Sequence, residues 1–307
     1  MTRDDHAHAH LHDHHAPDFG RAFAIGIAIN LLYLVAEAGF GLYADSLALL
    51  ADAGHNLGDV LGLGLSWGAA LLSRRGPSSR FTYGLRSTSI LAALANATIL
   101  LVVTGGIAWE GLWRLAHPVA TGGATVAWVA AAGIAVNGAA ALLFLSGRRH
   151  DLNVMSAFAH MAADALIAAG VVVAGVAIAL TGWLWLDPAV SLVVSAVIVW
   201  GTVGLVKQAV GLALDAVPAG IDAAGIRDHL LAAPGVVALH DLHIWGMSTT
   251  ETALTCHLVM PGGHPGDAAL AHLARELEDG FGIGHATIQI ELGDTDEACA
   301  LTPEHVV

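Results

Sequence analysis

The sequence predicts a membrane all-α domain of six transmembrane helices, followed by a small cytoplasmic α+β domain of αββαβ order. Three observations predict it. The 307-residue chain is 56% hydrophobic and only 12% charged, with a mean hydropathy of +0.67, unlike an ordinary soluble domain. Six apolar stretches are each long enough to cross a ~30 Å hydrocarbon core at ~1.5 Å rise per residue. After about residue 212 the long apolar runs stop, and short alternating and helical-period patterns replace them.

The spans fall near residues 20–41, 47–72, 88–113, 122–146, 154–181 and 188–210. The expected domains are therefore a tail over 1–18, a six-span unit over 19–212 and the α+β unit over 213–307. The tail carries His6, His8, His10, His12, His14 and His15 with almost no apolar content. Such a segment cannot bury enough surface to offset its ordering entropy, so disorder is expected. Its composition suits loose metal capture and equally a plain solvated tail. No cleavable signal peptide is expected, because the first twenty residues are polar.

Basic residues set the orientation. Arg3 and Arg21 precede or open span one, and Arg74, Arg75, Arg80 and Arg86 fill the loop after span two. Arg148 and Arg149 follow span four, Lys207 closes span six, and Arg227 and Arg275 lie beyond it. Only Arg114 falls on the other side. Both termini are thus expected in the cytoplasm, with the chain multi-pass in the inner cell membrane. The net charge of −14 is spread thinly and names no partner. No basic stripe suits nucleic acid. Cys256 and Cys299 fall on the reducing side, so no disulfide framework is expected.

In the C-terminal region, Ile221, Ile226, Leu230 and Leu231 outline a short helix ending before Pro234-Gly235. Strands are expected over Val236 to Trp245 and Thr252 to Met260. In the second, Leu254, Cys256, Leu258 and Met260 share one face, and Thr255, His257 and Val259 the other. Leu270, Leu273, Leu277 and Phe281 mark another helix. A last strand turns Ala286, Ile288, Ile290 and Leu292 inward and His285, Thr287, Gln289 and Glu291 outward. This order forms a two-layer sandwich with helices on one face of a small sheet.

The chemistry is concentrated in two patterns, His55-x-x-x-Asp59 and His160-x-x-x-Asp164. Each places an imidazole and a carboxylate one turn apart on a helix face. Ionisable groups at membrane depth are costly and mark functional sites by default. Helical rise puts His55 ~12 Å and Asp59 ~18 Å below the outer end of span two. Span five runs the other way, with His160 ~9 Å and Asp164 ~15 Å above its inner end. His55 then faces Asp164, and Asp59 faces His160, at two neighbouring levels. Two imidazoles and two carboxylates form an N2O2 cage that suits four-coordinate zinc. An all-oxygen set would favour manganese, magnesium or calcium, and thiolates copper(I). The imidazoles must lose their protons to bind, which couples metal to H+. The competing reading is a set of structural hydrogen bonds between helices. The residues therefore point to a metal-ion transporter, with Zn2+ as substrate and no catalytic cofactor.

Two rivals follow from the same residues. A zinc hydrolase would need an open coordination position and a base; no His-Glu-x-x-His pattern occurs, and only Glu37 or Asp52 could serve as base. A membrane zinc sensor would bind without moving the ion. Glu37, Asn30, Asp52, Asn56 and Asn137 are further polar residues within spans, suited to interhelical bonding or to lining a path.

The chain resembles the cation diffusion facilitators, in particular the zinc-exporting branch. The resemblance rests on Ala44-Asp-Ser-Leu-Ala-Leu-Leu-Ala-Asp-Ala-Gly-His-Asn-Leu-Gly-Asp59, Arg80-Phe-Thr-Tyr-Gly-Leu-Arg86 and Ala157-Phe-Ala-His-Met-Ala-Ala-Asp164. Leu239-His-Asp-Leu-His-Ile-Trp245 and Ala286-Thr-Ile-Gln-Ile-Glu291 extend it, so it runs from about residue 20 to 292. It implies a homodimer in the lipid bilayer, a metallochaperone-like (ferredoxin-like) cytoplasmic domain, and Zn2+ export in exchange for H+. It implies the transport site His55, Asp59, His160 and Asp164. For a cytoplasmic, regulatory zinc site it implies His240, His257 and Glu291, with His285 and His272 as candidate extra ligands and Gln289 where some members carry histidine. Residues 73–87 contain no His, Cys, Asp or Glu, so a zinc site that some members hold there is expected to be missing.

Overall fold

The computed structural model describes residues 20–73, 75–144, 152–293, 299 and 301, with side chains described outside 20–29, 63, 66, 70, 140–144 and 152–160. The histidine-rich tail and the loop bearing Arg148, Arg149 and His150 lie outside the described residues. Six long helices come first: α1 (Gly20–Tyr43), α2 (Leu47–Ser73), α3 (Thr88–Ala116), α4 (Gly123–Phe144), α5 (Leu152–Thr181) and α6 (Leu186–Ala213). Each covers one predicted span, with ends moved by no more than three residues. Among the described residues, Thr88–Ala116, Met161–Thr181 and Leu186–Ala213 are apolar enough to cross a membrane on length and hydropathy alone. Of the other three, α2 carries Asp52, His55, Asn56 and Asp59, which lower its hydropathy.

The bundle buries polar groups among its apolar clusters and presents large apolar side chains outside. Glu37, Asp52, Asn137, Asp164, Ser191, Ser195 and Thr202 are all buried, while Leu32, Val102, Trp128, Leu180 and Trp200 are largely exposed. In water that distribution would be unstable; in lipid it is the expected one, because hydrocarbon accepts the apolar rim and polar groups must find partners within. Glycine allows a close helix contact. A Cβ on Gly123 would lie 2.7 Å from the backbone nitrogen of Ala179, and one on Gly175 would lie 2.7 Å from that of Ala127. The two glycines therefore let the backbones of α4 and α5 touch, as small residues do between membrane helices. Gly58 and Gly62 do the same on α2, where Leu100 and Asn96 of α3 fill the space.

The start of α2 is held from a distant part of the chain. Asp187, on the first turn of α6 and 1% exposed, accepts from the Ser46 hydroxyl at 2.5 Å and from Leu47 N–H at 2.7 Å. Ser46 Oγ in turn accepts from Leu49 N–H at 3.2 Å. A helix start leaves four N–H groups without intrahelical partners, and a carboxylate there also suits the helix dipole.

The C-terminal unit comprises α7 (Ala223–Leu231), β1 (Ala238–Gly246), β2 (Thr252–Val259), α8 (Asp267–Phe281) and β3 (Ile283–Glu291). Asp222 caps α7 by accepting from Gly225 N–H at 3.0 Å. Gly282, at φ +73°, ends α8 in the left-handed conformation. The sheet order is β1-β2-β3, with β1 antiparallel and β3 parallel to β2. Both helices cover one face, and Ile226, Leu230, Leu254, Cys256, Leu258, Leu277 and Ile283 form the core between them. Two predicted inward residues differ: Leu231 and Leu292 are exposed, because each falls where its element ends and the packing stops.

The loop between α2 and α3 sits on this domain. Ser87 Oγ donates to the Met247 carbonyl at 3.3 Å, and Thr249 N–H donates to Ser89 Oγ at 3.1 Å. Arg86 pairs with Glu251 at 2.9 Å.

Candidate metal centres

The first centre lies where α2 meets α5. His55 and Asp59 project from one face of α2 because they are four residues apart. The structure brings His55 Nε2 to 3.1 Å from Asp164 Oδ1 and 3.9 Å from Asp59 Oδ2. Ligand atoms of His55, Asp59 and Asp164 all lie within 4.8 Å of one another. Asp164 is almost fully buried, while Asp59 keeps about a third of its side chain exposed. Asp59 is therefore the open edge of the group. His160 occupies the helical position one turn before Asp164 on α5, and its side chain lies outside the described residues.

A second polar layer adjoins the first. Glu37 on α1 is fully buried and accepts from Tyr33 O–H at 2.7 Å and from Asn56 Nδ2 at 2.9 Å. Asn56 follows His55 directly, so α1 is fastened to α2 at the level of the site. Asn137 is buried on α4, as an interhelical polar residue should be.

The second centre lies on the sheet face that the helices leave uncovered. His240 stands opposite His257 in the ladder, and Glu291 follows Gln289, the β3 neighbour of His257, by two residues. All three side chains thus share a face. His257 Nδ1 lies 2.8 Å from Glu291 Oε1. His240 Nε2 lies 3.3 Å from the same oxygen, without the alignment of a hydrogen bond. Cys299, beyond β3, brings Sγ to 3.7 Å from His257 Nδ1. Asp241 Oδ2 lies 3.5 Å from His257 Nε2, and its Oδ1 lies 2.8 Å from His243 Nε2. Slight burial opposes ionisation of Glu291. The hydrogen bond from Cys299 and the nearby His240 and His257 imidazoles outweigh it and hold the carboxyl below its usual range.

Plain alternation along β1 would put His240 on one face with Leu242 and Ile244, and it does not lie there. The register shifts by one residue between His240 and His243, and Asp241 takes φ +52°, so a bulge reverses the alternation. Leu239 and Ile244 both reach the core, and His240 joins His257 on the open face. His285 is not part of the group. It lies six residues before Glu291, about 20 Å along a strand, and meets Tyr83 of the α2–α3 loop edge-on at 5.6 Å. His272 is also apart, exposed on α8 near Glu276 at 3.9 Å. The residues that sequence reasoning did not place are Asp241 and Cys299. The apolar spacing Leu239, Leu242, Ile244 carries the signal of the bulge, since one step is three residues rather than two. Cys299 has no comparable signal. The other cysteine, Cys256, faces the core, where burial and the nearby Asp241 carboxylate push its thiol up to about 12.

Comparison with known proteins agrees over both parts of the chain. Residues 23–212 match the cation efflux transmembrane domain, and residues 218–292 match the cation efflux protein cytoplasmic domain. The chain is similar to the metal cation efflux system protein CzcD of Cupriavidus metallidurans, with 33% identity over 95% of this chain and 92% of that one. It is 34% identical to the zinc transporter ZitB of Escherichia coli, over 93% and 92% of the two chains. It is 31% identical to a cadmium, cobalt and zinc/H(+)-K(+) antiporter of Bacillus velezensis, over 92% and 91%.

Proposed function

The chain belongs to the cation efflux family, and on that premise we propose that it exports Zn2+ from the cytoplasm by proton antiport through His55, Asp59, His160 and Asp164. Cd2+ and Co2+ are further cargo, by analogy with the cadmium, cobalt and zinc antiporter of Bacillus velezensis. The observation that carries the reading is the approach of His55 Nε2 to Asp164 Oδ1, 3.1 Å across two helices in the bundle interior. Three of the four donors already converge there. Nitrogen and carboxylate oxygen together suit zinc.

Each donor binds metal only when deprotonated, so a proton entering from outside competes with the ion for the same atoms. In the inward-facing state, neutral imidazoles and carboxylates take up cytoplasmic zinc. Rocking of the helices then turns the site outward, where protons displace the metal. The partly exposed Asp59 is the donor an arriving ion meets first. Both termini are cytoplasmic on the distribution of arginines, and the site works within a homodimer held partly by the C-terminal domain. Zn2+ bound by His240, His257 and Glu291 would regulate transport by binding one conformation more tightly than the other.

Zinc flux into proteoliposomes under an imposed pH gradient tests the reading, with wild type beside Asp164→Ala. Proton-driven flux lost in the variant supports both function and site. Flux that survives moves the site elsewhere. A folded wild type that carries no divalent metal favours a zinc sensor.

A further inference from the structure

We propose that Cys299 is a thiolate ligand that completes a metal site with His240, His257 and Glu291, so that a bound zinc-class cation ties Cys299 to the open face of the sheet. The proposal rests on the reading that the C-terminal domain binds metal and adds to it the ligand that decides its chemistry. Four ligand atoms, one from each residue, lie within 4.8 Å of one another. Gly293, at φ +66°, takes the left-handed conformation just past the end of β3.

The second observation is independent of the cysteine. His240 is buried, with 8% of its side chain exposed, and its Nε2 has no hydrogen-bond partner. That nitrogen points at Glu291 Oε1, an oxygen already bonded by His257 Nδ1 at 2.8 Å. A buried polar atom without a partner is costly, and packing alone gives no return for it. A cation between His240, His257, Glu291 and Cys299 satisfies all four at once. Asp241 Oδ2 stands 3.5 Å from His257 Nε2, placed to take the ring proton there when Nδ1 turns from Glu291 to the metal, the usual outer support of a histidine ligand.

Two nitrogens, one oxygen and one sulfur make a four-coordinate set. Sulfur excludes magnesium, calcium and manganese as preferred occupants and favours zinc or cadmium. On binding, the Cys299 S–H bond breaks, the metal–sulfur bond forms, and the proton passes to solvent. The neutral imidazoles and the carboxylate release none.

Cobalt(II) titration of the full-length protein in detergent tests this, because a cobalt–thiolate bond gives a near-ultraviolet charge-transfer band that nitrogen and oxygen ligands do not. The expected result is such a band in wild type, its loss in Cys299→Ser, and its retention in Cys256→Ala. Visible cobalt absorption that depends on His240 should remain in Cys299→Ser, showing a folded site. Zinc should displace that cobalt at least ~10-fold less tightly in Cys299→Ser than in wild type. His240-dependent visible absorption without the charge-transfer band in wild type overturns the proposal and leaves the metal-binding reading intact. A band that survives Cys299→Ser overturns it as well. Absence of both signals overturns the cytoplasmic site altogether, while zinc flux separately judges export.

Discussion

Replacing Asp187 by alanine should destabilise the bundle by about 2–5 kcal/mol, chiefly from the buried donors it leaves without an acceptor. The carboxylate is 1% exposed and accepts from Ser46 Oγ at 2.5 Å, Leu47 N at 2.7 Å and, more weakly, Ala48 N at 3.4 Å. The alanine variant strands the Ser46 hydroxyl and the Leu47 N–H in a dry place, at about 1–3 kcal/mol each. It also removes a negative charge from a helix N-terminus, worth about 0.3–2 kcal/mol. Release of the buried carboxylate's own desolvation offsets part of that sum. Asp187→Asn should fall between wild type and alanine. Its single carbonyl oxygen serves one donor, while its NH2 faces the other. Unfolding by sodium dodecyl sulfate titration in mixed micelles measures the differences. A cycle with Ser46→Ala should show coupling of at least ~1 kcal/mol, since the two residues share one bond. An alanine variant within ~1 kcal/mol of wild type, or strict additivity with Ser46→Ala, would refute the idea that α6 caps α2.

Gly175→Ala should lower stability in the same assay by about 1–3 kcal/mol, the usual range for overpacking, although alanine is the better helix former by roughly 1 kcal/mol. Its Cβ would meet the backbone of α4 at 2.7 Å, whereas Gly170 on the same helix has nothing within 4 Å, so Gly170→Ala should be neutral or stabilising. Equal effects at the two positions would remove the close α4–α5 contact from the account. Asp241→Asn should weaken zinc at the C-terminal site by roughly 10–100-fold, as losing an outer histidine partner does. Competition between zinc and cobalt reads this directly, and unchanged affinity would strip Asp241 of its orienting role.

The six helices were legible because membrane spans announce themselves by length and hydropathy, which are local properties. The pairing of His55 with Asp164 was also legible, since it needs only helical rise and the reversal of chain direction between α2 and α5. Asp187 was not. A charged residue beside an apolar run reads as the end of a span, and predicted span six began after it. Its partners Ser46 and Leu47 lie about 140 residues earlier, and nothing local announces a cap supplied across the bundle. The alternation in β2, and in β3 from Ala286 to Ile290, survived because the one register shift between these strands lies earlier, at Ile283 to His285. In β1 one inserted residue at Asp241 was enough to exchange the faces, because the side-chain period of a strand is two. Cys299 lies outside every periodic element, so only the folded chain brings it to His257.

The two candidate centres differ in a way that their proposed tasks explain. A carrier must release its cargo on every cycle, so its donors should be groups that protons can win back. His55, Asp59, His160 and Asp164 are nitrogen and carboxylate-oxygen donors, which protons compete for, and Asp59 leaves one side open. A regulatory site has the opposite requirement, since it should stay filled while the transport site empties. The group on the sheet meets it with a buried imidazole, a second imidazole backed by Asp241, and a sulfur donor. A thiolate in the transport site would favour capture over release. Cys256 and Cys299, the chain's two cysteines, both lie in the C-terminal domain, off the path of the ion. Introducing a thiol into the first centre by Asp59→Cys should therefore raise metal retention and slow turnover together. Faster flux in that variant would show that capture, and not release, limits transport.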